Sequence, residues 1–274
     1  MSEDSQHWYL PDGTPFYECK ARDGHMRPVT LRDARKVHAV PSVTTVLSVV
    51  AKPNLEAWKV QQGILAALTL PRRPDESEVD WLQRVRDDAK AQAKAAAEEG
   101  SRIHAALEAH ARGQAYPQRY QPHVQVVWAE IAKLYPDITD WVPETRFAHP
   151  DGFGGMCDLH SPSTGVCLDY KGKDGDFSDG KRMAYDQHWQ LAGYQRGMEL
   201  PKATCASVFV SRTHPGKVAS HVWSTEDMQQ GQRVFDAALA LWQAIKNYPA
   251  AQSAQMIASS RYGVSTDHPD GNRR

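Results

Sequence analysis

The sequence holds only four cysteines, Cys19, Cys157, Cys167 and Cys205, and no two of them stand in a CxxC spacing. That arrangement argues against a structural zinc site, and against an iron–sulfur cluster, whose ligands include a closely spaced group. Long apolar runs are also missing, so no segment approaches the length of a membrane span. The opening MSEDSQHWYL has neither the basic nor the apolar region of a signal peptide, so a cytoplasmic protein with reduced thiols and no membrane partner is expected. An excess of either charge sign is lacking as well. Net charge is −1, so any polyanion would be held by local basic patches or bound metal, not by a global positive field. There is no internal repeat. What remains, 41% hydrophobic and 24% charged over 274 residues, is enough for one elaborated domain with a substantial core.

Along the chain, residues 8–40 alternate short β-like runs with Gly and Pro signals and predict an irregular lobe containing a hairpin. Residues 41–50 are β-branched, but Ser42 and Thr44 can cap a short helix, which is the preferred reading. Leu55, Trp58, Ile64, Leu65 and Leu68 recur at helical spacing over 54–70, and 76–110 predicts one long, broken helical region. A helix over 122–135 follows. Strands are then expected over 142–148, 203–212 and 218–223, a helix over 183–200 and an amphipathic helix over 226–248. The order is helices, then β-β-β-α-β-β-α, which predicts an α/β (α+β) fold: a mixed central sheet of about five strands flanked by helices. Residues 1–260 are read as one domain, with an N-terminal lobe and helices over 1–95, a core over 96–250, and a disordered tail over 261–274.

The stretch GGMCDLHSPSTGVCLDYKGK, residues 154–173, places acids where strands want apolar residues. Residues 156–161 and 166–171 flank Pro162-Ser163-Thr164-Gly165, a turn composition, so they form a hairpin in which Ser161 faces Val166. Counting back, Asp158 faces Asp169, and opposed residues of an antiparallel pair share a face with Cβ atoms about 4.5–5.5 Å apart. Strand alternation brings Lys171 to that same face. Two facing carboxylates repel unless a cation lies between them, and Mg²⁺ prefers carboxylate oxygens. The alternative is an edge hairpin with solvated charges.

Two helical patterns accompany it. In EEGSRIHAALEAH, Gly100, His104 and Glu108 are four apart and share a face. A mid-helix Gly costs about 1 kcal/mol against Ala, a cost that close approach of the helix to another backbone would offset. In QHWQLAGYQRGM, Gln190 and Tyr194 share a face, with Gln187 one turn earlier. Taken singly, each pattern also fits a solvated polar helix face. The loop GKDGDFSDGKRM carries Lys173, Lys181 and Arg182 and is expected to be mobile.

In this order the motifs Gly100–His104, Gly155–Asp158, Asp169–Lys171 and Gln190–Tyr194 resemble the RecB-like, lambda-exonuclease-like branch of the PD-(D/E)xK nuclease superfamily. That branch carries G-x3-H, G-x2-D, D/E-x-K and Q-x3-Y on helix, strand, strand and helix. The match spans roughly residues 96–200, and PSVTTVL followed by KPNLEAW adds a weaker similarity. Asp169 stands where Glu is commoner.

The resemblance implies a restriction-endonuclease-like core and two Mg²⁺ or Mn²⁺ ions held by His104, Asp158, Asp169 and the Tyr170 carbonyl. Such metals, about 3.5–4 Å apart, stabilise attacking and leaving oxygens in phosphodiester hydrolysis. Lys171 would orient and help deprotonate water or neutralise transition-state charge, with Asp158 and Asp169 completing the catalytic set. Gln190, Tyr194, Lys173, Lys181 and Arg182 would bind the substrate strand. Glu108 and Glu144 would support the metal ligands from behind, and Cys167 would pack beneath them.

The expected function is a metal-dependent DNA exonuclease that resects duplex ends for phage-type recombination, with a single-strand annealing recombinase as partner and homo-oligomerisation open. A structure-specific or defence endonuclease is the first alternative. A non-catalytic DNA-binding module with a vestigial site is the second. Arg72, Arg73, Arg84 and Arg86 in the helical half are further candidates for gripping duplex phosphates.

Overall fold

The computed structural model describes residues 7–178, 183–248 and 257, with the side chains of Asn54, Leu55 and Trp58 left out. In the N-terminal lobe, strand β1 (Trp8–Tyr9) comes first, followed by the hairpin of β2 (Glu18–Lys20) and β3 (Met26–Pro28). A short helix α1 (Leu31–Lys36), absent from the sequence expectation, follows because Thr30 and Asp33 form a reciprocal capping box. Strand β4 (Val40–Pro41) pairs antiparallel with β1. Ser42 then caps helix α2 (Val43–Val46), accepting from the Thr45 amide, as its hydroxyl suggested.

Helix α3 (Pro53–Thr69) forms where periodicity placed it, but Ile64, Leu65 and Leu68 are exposed, and among its described side chains only Ala66 is buried. Helix α4 (Glu78–Ala111) is one continuous helix rather than a broken region; Ser77 caps it and its Ala-rich interior contains no proline. Arg84 pairs with Glu76 at 2.7 Å and also donates to the Pro71 carbonyl, bracing the α3–α4 connection. Helix α5 (Gln121–Leu134) completes the helical half.

Five strands make the central sheet: β5 (Val142–His149), β6 (Phe153–His160), β7 (Cys167–Lys173), β8 (Ala206–Ser211) and β9 (Val218–Val222), in that spatial order. All pairs are antiparallel except β7–β8. That parallel pair requires a crossover, supplied by helix α6 (Gln187–Gly197). Helix α6 is shorter than the expected 183–200. At its start the Gln187 side chain accepts from the Tyr185 amide and holds a turn, and past its end Glu199 adopts a left-handed φ of 55°. Helix α7 (Thr225–Lys246), with a Ser224–Asp227 capping box, closes the fold.

Mixed α/β layering follows. Helices α4 and α5 cover one sheet face through Ile103, Leu107, Val127 and Ile131 against Leu168, Tyr170 and Val208. Helices α2, α6 and α7 cover the other through Val43, Leu191 and Phe235 against Phe153 and Phe209. The N-terminal lobe is joined to this core. Fully buried Trp8 packs on Trp242 of α7, and Ser42 bridges to Gly154 of β6. No helix among the described residues is long and apolar enough to cross a membrane. The expected tail over 261–274 lies outside the described residues.

Candidate active site

The hairpin register is the expected one: Ser161 donates its amide to the Val166 carbonyl at 2.9 Å, and the strands pair through His160–Cys167 and Leu159–Leu168. There the ladder stops. The anticipated Asp158–Asp169 pair does not form; instead Asp158 Oδ2 accepts the Tyr170 backbone N–H at 2.8 Å. On the other side of β6, pairing is interrupted between Pro143–Leu159 and Thr145–Cys157, where Glu144 takes a left-handed φ of 43°. Alternation slips at this point: Cys157 belongs to the core layer under α6, while Leu159, two residues on, belongs to the layer under α4. The shared face expected for the acids is therefore corrected. Asp158 turns toward α4, with Oδ1 3.5 Å from His104 Nδ1, while Asp169 stays on the α6 side of the fork.

Asp169 is buried. Its Oδ1 accepts from Lys171 Nζ at 2.8 Å and from Gln190 Nε2 at 3.0 Å, whereas its buried Oδ2 has no hydrogen-bond partner. Lys171 Nζ also donates to Gln190 Oε1 at 3.3 Å, and Gln190 Nε2 donates to the Tyr194 hydroxyl at 2.6 Å. Burial raises the Asp169 pKa, with the neighbouring Asp158 charge adding to this and Lys171 opposing it. Burial would lower the Lys171 pKa, but the Asp169 and Asp158 charges outweigh it and hold the ammonium form. Asp158 shows the reverse balance: burial would raise its pKa, yet His104, Lys171 and the Tyr170 amide pull it below the ordinary carboxylate value. His104 is raised, because Asp158 outweighs the cost of burying its charge.

Three of these groups, His104, Asp158 and Lys171, border an open cleft of about 410 Å³ between α4 and the sheet fork, lined also by Gly100 and Ser101 from the helix and Glu144 from the strands, whereas Asp169 and Gln190 do not line it. Gly100 does not serve close backbone packing, as had been expected. A Cβ built there meets nothing within 4 Å, so the glycine leaves the cleft open. Gly155 has the opposite role: a Cβ there would lie 2.8 Å from Phe147 Cζ and 3.1 Å from Tyr194 Cε1. The Tyr170 ring packs edge-on against His104.

Among the described residues no three or more His, Cys, Asp or Glu side chains are grouped closely enough to hold a metal ion by themselves. The oxygen donors nearby are the carboxylates of Asp158 and Asp169, which suit Mg²⁺, an ion that retains several waters and is usually held by one or two carboxylates with substrate phosphates; the His104 imidazole, beside Asp158, suits a transition ion such as Mn²⁺ better. The unpartnered Asp169 Oδ2 fits the same picture, since a buried carboxylate oxygen without a partner is costly and a cation would satisfy it.

Other anticipated residues take different places. Tyr194 is buried behind Gln190, so it orients that amide and is not exposed to a strand. Glu108 is bound by Arg112 Nε at 2.8 Å and not by His104, whose carboxylate neighbour is Asp158. Glu144 lies 3.8 Å from Arg146, and burial followed by the Glu108 charge raises its pKa. Lys173 is half-buried, its pKa lowered by burial and then by the Lys171 and Arg212 charges. Lys181 and Arg182 lie outside the described residues. Cys167 packs in the core with Cys157 and Cys205. Ala97, Ser101 and Met156 line the cleft unanticipated, being small or apolar side chains with no chemical signature in the sequence.

No protein-family model matches this chain, and no curated protein matches it. Among solved structures, the crystal structure of SSO0001 shows a TM-score of 0.26 and 14% identity, over 48% of this chain and 63% of that one. The match therefore spans less than two thirds of that protein, and the functional reading rests on the site itself.

Proposed function

We propose that this chain is a metal-dependent deoxyribonuclease of the PD-(D/E)xK type, an exonuclease that resects duplex DNA ends for recombination of the phage kind. The observation that carries the reading is the strand fork, where Asp158 and Lys171 line an open cleft and the buried Asp169, its Oδ2 unpartnered, accepts from Lys171 through Oδ1. The resemblance of the four ordered motifs supports the same chemistry. Asp158 and Asp169 would hold Mg²⁺ or Mn²⁺, with His104 and the Tyr170 carbonyl as further donors. Such an ion, when bound, supplies positive charge to phosphodiester oxygens and acidity to a water.

The chain's own groups have separable tasks. Lys171 directs two of its three N–H donors to Asp169 and Gln190, leaving one to orient a water or neutralise developing charge on the phosphate. An ammonium held charged by two carboxylates serves as that donor better than as a base. Gln190 locks both Lys171 and Asp169, and Tyr194 locks Gln190. A strand annealing protein and further copies of the chain belong to this reading as partners.

Incubation of matched linear and covalently closed circular DNA with Mg²⁺ tests the mode of attack. The linear duplex should be degraded while the circle persists. Nicking or linearisation of the circle at a comparable rate would replace the exonuclease with an endonuclease, and binding without cleavage of either would leave a vestigial DNA-binding module.

A further inference from the structure

Helix α4 runs on well beyond the cleft. Between Val85 and Ile103 it buries no side chain, and Arg86, Lys90, Ala93, Lys94, Ala97 and Ser101 are all exposed. Its other side is half covered, by α3 and by Tyr120, whose hydroxyl donates to Glu99 at 3.3 Å, but the exposed face packs on nothing and needs another reason for its composition. At 3.6 residues per turn, Arg86, Lys90, Ala93, Ala97, Gly100 and His104 fall within about 40° of one line along the helix. Lys94 and Ser101 flank that line. The acids of the same stretch are turned away: Asp88 and Glu99 fall on the opposite side, and Glu98 and Asp87 at or beyond the edge, where Gln83 donates to Asp87 at 2.9 Å. Neither Arg86 nor Lys90 has a carboxylate partner among the described residues, and Lys94 reaches Glu98 only at 4.0 Å. By contrast Arg84, whose side chain is a quarter exposed, is fully engaged by Glu76.

We infer that this face of α4 is a track for the nucleic-acid strand entering the cleft, with Arg86, Lys90 and Lys94 contacting successive phosphates and Ala93, Ala97 and Gly100 letting the strand lie close to the helix. The inference rests on the nuclease reading and deepens it by naming how the strand is held away from the site. Charge complementarity identifies the occupant: Arg86 and Lys90, with no carboxylate partner among the described residues, and Lys94, held only by the exposed 4.0 Å contact to Glu98, follow one another about a turn apart toward residues that line the cleft. The row is one cation wide and drifts by only about 40° per step around the helix. It therefore matches the single row of phosphates on an extended strand, not the two diverging rows of a duplex. From His104 to Arg86 is eighteen residues, about 27 Å of helix.

The test is binding of a labelled 20-nucleotide single strand in EDTA, titrated with KCl. Each phosphate contact to a single strand contributes about 0.7 to the slope of log affinity against log salt, so R86Q/K90Q/K94Q should reduce that slope by about 2. Glutamine has nearly the helix propensity of lysine and arginine, so α4 should persist, which circular dichroism checks. The variant R22Q/R32Q/K36Q removes equal charge from exposed positions of the N-terminal lobe and should keep the wild-type slope. An unchanged slope in R86Q/K90Q/K94Q, or an equal fall in both triple variants, overturns the track. Cleavage of linear duplex by the wild type with Mg²⁺ is scored separately: if it occurs while the slopes agree, only the track fails, and if neither binding nor cleavage occurs, the nuclease reading falls with it.

Discussion

Two glycines of the candidate motifs make opposite physical demands. Gly155 is enclosed, and a methyl group would enter the Phe147 ring and crowd Tyr194, so Gly155→Ala should cost about 1–3 kcal/mol of stability as an overpacked core does. Gly100 faces open space inside a helix, where alanine is the better helix former by about 1 kcal/mol. Gly100→Ala should therefore melt higher than the wild type while raising KM for DNA, because the methyl group narrows the cleft; denaturant unfolding and steady-state cleavage read the two effects. A Gly100→Ala variant with unchanged KM would remove the glycine from substrate binding. At this scale the sequence was most legible. Asp158, Asp169 and Lys171 announced themselves because charge is costly on a strand, and the structure brings them to one fork with His104 and Gln190. The support roles were less legible: whether Glu108 binds His104 or Arg112 depends on rotamers that spacing alone does not select, since both lie four residues away.

At the scale of elements, the hairpin that presents the acids is fastened at its turn. The Asp140 carboxylate accepts the Ser161 hydroxyl at 2.6 Å and the Ser163 amide at 3.0 Å, and these hydrogen bonds hold its pKa down to about 2. A depressed folded-state value means stability that is fully present above the ordinary value of 3.8 and is lost as pH falls through about 2. Thermal melts should accordingly show Asp140→Ala less stable than the wild type at pH 6, with the gap closing between pH 4 and pH 2. A gap that stays constant over that range would place the effect elsewhere. Turn composition and register were legible because Pro162 to Gly165 leave few ways to reverse the chain. The slip at Glu144 and Asp158 was not. Period-two counting assumes an unbroken pleat, and a left-handed residue that is not glycine leaves no trace in the pattern. Helix α1 escaped for a related reason: six residues show too little periodicity, and only its capping box marks it.

Over the whole molecule, the lobe before α4 and the last helix are one structure. Trp8 is fully buried between Trp242, at 6.0 Å between ring centroids, and Tyr248, at 5.7 Å. Replacing it with alanine should cost about 3–5 kcal/mol and lower a single cooperative transition without splitting off a separate one for the lobe, as denaturant unfolding followed by two probes would show. Such contacts between residue 8 and residue 242 are invisible to local pattern, which is why the lobe read only as irregular. The order of strands and helices was legible, since each element carries its own periodicity; the exposed reach of α4 was not, because an Ala-rich helix looks the same packed or free. The proposed function requires the fork acids to act through a divalent cation. Its most direct measurement is hydrolysis of a linear duplex by the wild type, Asp158→Ala and Asp169→Ala, each with Mg²⁺ and with EDTA, alongside DNA binding. Cleavage is expected from the wild type with Mg²⁺ alone, and binding without cleavage from both variants; undiminished cleavage in EDTA, or by either variant, would contradict a role for the cation.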